Sequence, residues 1–142
     1  MTWVYRQRTG ELLHEGRVIA IGYSGHDDGD GVPEPGEGKN DPAAQAVRSV
    51  GPIPVGRYTI GPPHTHPTAG PYTMRLTPQA GTETFGRSGF LIHGDSRSSP
   101  GAASLGCIIL ARPFRVAVWM SGDVALDVVA DAPNPHHQEK AP

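Results

Sequence analysis

The chain has 142 residues, room for a single core, and its 12 Lys+Arg against 14 Asp+Glu leave a formal charge of -2. That balance lacks the basic surplus that neutralises phosphates and argues against a nucleic-acid partner, while no run approaches the roughly 18 apolar residues that membrane insertion needs. Gly 19 and Pro 15 with no repeating period, beside 37% apolar residues, exclude collagen and describe a compact, loop-rich domain.

In chain order, residues 2–24 read as a β-meander: TWVYRQ, a turn at Thr9-Gly10, LLHEG, then RVIAIGYSG. From Gly25 to Gly51 the chain is rich in Gly, Pro, Asp and Glu, which predicts a long loop, with one short helix starting at Pro42 and capped by Asp41. GPIPVGRYTIG, GPYTMRLTP and GFLIHG each read as a strand, with β-branched and aromatic residues or alternation between turn residues. After Cys107 come a short strand, IIL, and a helix over RPFRVAVWMSG, with Pro113 in its first turn and Gly122 as its C-terminal stop. DVALDVVAD is the last strand, and residues 132–142, polar and Pro-containing, form a tail without order. The domain is thus 1–131, mainly β with one or two short helices.

Cys107 is the only cysteine, so no internal disulfide and no cysteine zinc cage can form. It follows Ser104-Leu105-Gly106 and precedes an apolar run, while His93 ends the apolar strand before it and is followed by Gly94. Adjacent strand ends would bring thiol and imidazole together. A thiol is a strong nucleophile as thiolate, which a neighbouring imidazole supplies by taking its proton and holding the ion pair. Gly106 lets substrate approach the backbone, and the N–H groups of Gly106 and Cys107 are candidate oxyanion donors. A carbonyl near Gly94 would orient His93. Ser104 either bonds near the histidine or closes its turn, and Asp95, one residue along, points to solvent. Either residue of the Cys107–His93 pair alone would pass for core packing; the glycines beside both favour chemistry.

IHG followed by SLGCI resembles the active-site signature of L,D-transpeptidases, the cysteine enzymes of peptidoglycan stem peptides. GYSG, GKNDPAAQ and VGPIPVGRYTIG are similar to the branch deployed as type VI secretion effectors, so the resemblance spans about residues 10 to 130. It implies an L,D-transpeptidase catalytic-domain fold, a β-sandwich or barrel, with Cys107 as nucleophile, His93 as base, backbone donors beside the cysteine, and no cofactor. It implies an antibacterial toxin that hydrolyses tetrapeptides (L,D-carboxypeptidase) or exchanges their terminal D-alanine, with stem peptides, an immunity protein and a secretion-apparatus component as partners. Met1 to Arg8 does not read as a secretory signal, so delivery would run through that apparatus to the target's periplasm. Two positions depart from the wider family: Leu105 stands where a His is usual, and Ile109 where an Arg is common. Arg97 or Arg112 would then supply the guanidinium for a substrate carboxylate. Tyr23, Ser24 and Lys39 would form a cleft wall, and the insertion from His26 to Gly38 a lid or a plain loop.

The competing reading is a β-rich module that holds cell-wall peptide without turnover, Cys107 being merely packed. Two further groups suggest metals. DDGDG at 27–31 with Glu34 and Glu37 invites calcium, but its spacing fails the EF-hand pattern and a solvated acidic loop is the simpler reading. His64 and His66, like His136 and His137, lack third and fourth ligands, so surface histidines and no metal are expected.

Overall fold

A computed structural model describes residues 2–28 and 34–131; the tail 132–142 and most of the DDGDG run lie outside the described residues. The elements are β1 (Thr2–Arg6), β2 (Glu11–His14), β3 (Arg17–Ile21), β4 (Tyr23–Ser24), a 3-10 helix (Pro42–Ala44), β5 (Gly56–Ile60), β6 (His64–His66), β7 (Gly70–Pro78), β8 (Leu91–His93), β9 (Ile108–Ile109), α1 (Arg112–Met120) and β10 (Ala125–Val129). The protein is mainly β, with one α-helix and one short 3-10 helix among the described residues, as composition and alternation predict. Asp41 Oδ1 accepts from Ala43 N at 3.0 Å, the cap foreseen for the short helix. Pro113 lies in the first turn of α1, and Gly122 just beyond it has φ 77°.

The strands run β3-β2-β1-β10-β5-β7-β8-β9-β4, with β6 on the side of β7. β1 and β10 pair in parallel, as do β8 and β9; the other pairs are antiparallel. The nine-residue β7 serves two sheets, pairing with β5 through Leu76 to Pro78 and with β8 through Met74 and Arg75. The first and last strands of the path, β3 and β4, are separated only by Gly22, so the sheet bends round until one end feeds the other. Gly22 is required there: a Cβ would stand 1.9 Å from Ile109 O.

Alternation along the strands decides what is enclosed. Trp3 and Tyr5 on β1, Leu126 and Val128 on β10, and Tyr58 and Ile60 on β5 point inward with Met74, Ile92, Ile108 and Leu110. Burying each such aliphatic side chain is worth about 1.5–3 kcal/mol. Trp3 stacks on His14 at 4.1 Å and donates from Nε1 to Ser121 Oγ at 3.1 Å, fastening the first hairpin to the end of α1.

Candidate active site

β8 and β9 set the geometry. Their parallel register pairs Ile92 with Ile108 and His93 with Ile109, so Cys107, one residue before the ladder, falls beside Leu91. Leu91 and His93 share a face of β8 because side chains repeat every two residues. The connection between the strands, residues 94–107, contains no helix, and it carries the loop on which the cysteine returns.

Cys107 is half-buried on the lip shared by two hollows. One, of about 450 Å³, is lined by His93, Gly94, Leu105, Cys107 and also by His66 of β6. The other, of about 370 Å³, is lined by Arg48, Ser49, Arg87, Ser88, Gly106 and Cys107. His93 is buried at 8% exposure, and its Nδ1 donates to Gly94 O at 2.8 Å. A carbonyl can only accept, so the ring proton sits on Nδ1 and Nε2 carries a free lone pair. The thiol's own hydrogen bond is a long one to Gly89 O, 3.8 Å.

Both groups are pushed toward neutrality. Burial lowers His93 below its ordinary value, helped by the Arg115 and His66 charges and opposed by the Gly94 bond and Asp95. Burial raises the Cys107 thiol, offset in part by a backbone bond from Leu91 and by the Arg87 charge. Both shifts favour the neutral thiol and the neutral imidazole over the ion pair expected from the sequence, with burial the largest cause of each.

Ser104 is fully buried and bonds only to backbone. Its Oγ accepts from Gly25 N at 2.9 Å and Gly106 N at 3.0 Å and donates to Cys107 O at 2.7 Å. It closes the turn and ties the cysteine loop to the chain after β4; it does not reach His93. This also occupies the Gly106 N–H expected as an oxyanion donor, while the Cys107 N–H has no protein partner among the described residues. Gly106 has φ 131°, and a Cβ on it would meet Arg87 Nη2 at 2.3 Å, so only glycine fits between the loop and that guanidinium.

The five residues expected to bind substrate line neither hollow. Tyr23 OH donates to Asp95 Oδ1 at 2.6 Å and accepts from Ala103 N at 2.8 Å, holding the 94–107 loop. Asp95 also accepts from Ser96 N and Gly101 N. Ser24 Oγ accepts from Ile53 N and donates to Gly106 O. Lys39 lies over the Tyr23 ring at 4.4 Å, Arg112 over the Tyr72 ring at 5.5 Å, and Arg97 is exposed.

Two buried arginines escaped sequence reading. Arg87 donates to the carbonyls of Gln45, Gly51 and Pro52, bracing residues 45–52 against Gly106. Arg115 of α1 donates to the carbonyls of Pro71 and Tyr72 at 2.8 and 2.9 Å, and packs where a Cβ on Gly94 would be, 2.8 Å from Nη2. Both partner sets lie more than thirty residues away in sequence, and charge patterning carries no signal for them.

Asp27, Asp28 and Glu37 place one carboxylate oxygen each within 4.8 Å of the others. Glu37 accepts from Asp28 N and Glu34 N, and Lys39 Nζ stands 3.8 Å from Asp27. The cluster is thus already engaged with amides and a lysine. None of the described residues of the 26–38 insertion lines either hollow.

The profile of the Tlde1 domain matches residues 20–125, three-quarters of the chain and both hollows. The chain belongs to the Tlde1 domain family. This is a family of L,D-transpeptidase-like type VI secretion effectors, with peptidoglycan-related activity. Within the Tlde1 domain fall β4 to β9 and α1, and hence His93, Ser104 and Cys107, whereas β1 and β2 precede the match. No curated protein and no solved structure matches the chain.

Proposed function

We propose that the chain is a cysteine acyl transferase of peptidoglycan stem tetrapeptides, with L,D-carboxypeptidase and D-amino acid exchange activities, acting as an antibacterial effector. One observation carries the reading: a thiol on the lip of two hollows, beside a histidine whose Nδ1 is committed to Gly94 O and whose Nε2 is free to take a proton. His93 Nε2 takes the Cys107 proton, and the sulfur attacks the carbonyl at the L-centre of stem residue three. Its C–N bond to the terminal D-alanine breaks as the imidazolium returns the proton to the departing amine, leaving a thioester. Water then gives the tripeptide and free thiol, or an amine gives an exchanged or cross-linked product. The Cys107 N–H faces the developing oxyanion.

Arg48 is the guanidinium that supports carboxylate recognition. It is exposed, lines the hollow beyond Cys107, and among the described residues holds only a 3.4 Å bond to Gly86 O. Delivery through a type VI apparatus and protection by an immunity protein accompany this reading. No helix among the described residues is long and apolar enough to cross a membrane.

The alternative, a β-rich module that holds cell-wall peptide without turnover, draws on the burial that raises the thiol and on its bond to Gly89 O. Mass spectrometry of purified disaccharide-tetrapeptide separates the two. Conversion to tripeptide by the native protein, with Cys107→Ala folded and inactive, supports the enzyme; tetrapeptide recovered intact from both supports the module.

A further inference from the structure

The hollow lined by His93 and Cys107 is also lined by a second histidine, His66 of β6, whose place there no sequence pattern announces. After β6 the chain turns through Pro67 into β7, and the His66 ring caps that turn. Its Nδ1 accepts from Thr68 N at 3.1 Å and from Ala69 N at 3.0 Å. A ring nitrogen that accepts amide hydrogens carries no proton, so the neutral ring is protonated on Nε2. That nitrogen has no protein partner among the described residues.

The two histidines are therefore fixed in opposite tautomers by backbone. His93 gives its Nδ1 hydrogen to a carbonyl and offers Nε2 as acceptor; His66 receives two amide hydrogens at Nδ1 and offers Nε2–H as donor. The side chains of Leu91, Leu105, Ala102 and Ala103 give the same hollow apolar surface, while Thr68 and Ser96 bring hydroxyls that rotate, Ser96 Oγ lying 3.2 Å from Ser98 Oγ. Asp95, also on its wall, is an acceptor already engaged by Tyr23 and the loop amides. A peptide bound there presents carbonyl and carboxylate oxygens, which need donors once water is displaced.

We propose that His66 is the hydrogen-bond donor of this hollow that the backbone fixes in place, its Nε2–H directed at an oxygen of the peptide whose acyl group Cys107 accepts. The peptide's identity as a stem tetrapeptide rests on the function proposed above; the fixed donor does not. His66 binds and positions, and moves no proton.

Asparagine and glutamine separate this role from turn capping. In His66→Asn the amide oxygen stands about where Nδ1 does and can accept from Thr68 N and Ala69 N, but nothing reaches the Nε2 position. His66→Gln extends an N–H toward that position. D-alanine release from tetrapeptide should show KM raised about tenfold in His66→Asn, kcat changed less than about twofold, and KM within about threefold of native in His66→Gln. Calorimetry with tetrapeptide on Cys107→Ala should show the same loss of affinity when His66→Asn is added, and needs no turnover. Nitrogen-15 spectra of the native protein should show His66 protonated at Nε2 and His93 at Nδ1. If the native protein releases no D-alanine while Cys107→Ala still binds tetrapeptide through His66, the donor stands and the enzyme reading falls. Native KM and affinity in His66→Asn, a proton on His66 Nδ1, or no tetrapeptide binding to Cys107→Ala would each overturn the donor.

Discussion

At the scale of single residues, desolvation sets the pH behaviour of the site. Burial, above all, holds His93 below its ordinary value of 6.5, so the ring stays neutral, and able to accept the thiol proton, to lower pH than a free histidine. Protonating His93 removes the base, so the rate falls as pH drops through the lowered value. The acid limb of kcat/KM for D-alanine release should therefore lie below pH 6.5, with more than about half of maximal activity kept at that pH. A limb centred at or above 6.5 would show that the ring is stabilised as imidazolium by an ion pair with Cys107. The same comparison applies to alkylation of the free protein: a thiol raised by burial reacts faster as pH climbs toward and past 9, without a plateau near neutrality.

At the scale of elements, Gly22 is the joint where β3 becomes β4 and the two ends of the sheet meet. Gly22→Ala would drive a methyl into Ile109 O, on the strand that follows Cys107. Because the nearest blocking atom is backbone, with Leu110 Cδ2 2.9 Å away as well, the cost should be about 3 kcal/mol or more, at the upper end of overpacking. Denaturant midpoints read this directly; a change within about 0.5 kcal/mol would mean that the sheet end relaxes freely. The strands themselves were legible because alternation and bounding glycines survive in short runs. So was the approach of His93 and Cys107, each at the end of an apolar run that becomes a parallel neighbour of the other. β6 was not legible: HTH sits among prolines and becomes a strand through backbone pairing to β7, which its side chains do not announce. Arg87 and Arg115 were opaque for a related reason, since their partners are main-chain atoms supplied by distant loops, whereas the turn closed by Ser104 was one of its two readings and only its bond to Gly25 N was hidden. Tyr23 and Lys39, expected in a cleft wall, line neither hollow: the Tyr23 hydroxyl bonds to the 94–107 loop and the lysine lies over the ring.

At the scale of the whole molecule, membership of a secreted effector family joins a cell-wall substrate to a compartment. Exported to the periplasm of a Gram-negative host, the protein should lower the tetrapeptide share of the muropeptide profile and cause swelling or division defects. Kept in the cytoplasm, or exported as Cys107→Ala, it should do neither; equal toxicity of the two locations would point to an intracellular target. In the proposed reaction Cys107 itself becomes acylated, a step narrower than toxicity. Intact-protein mass spectrometry during reaction with tetrapeptide measures that step. A transient adduct is expected, with the mass of the tripeptide acyl group, mapped to the peptide containing Cys107 and much slower to form in His93→Ala. Release of D-alanine with the acyl group on another residue, or without any adduct and undiminished in Cys107→Ala, would contradict it.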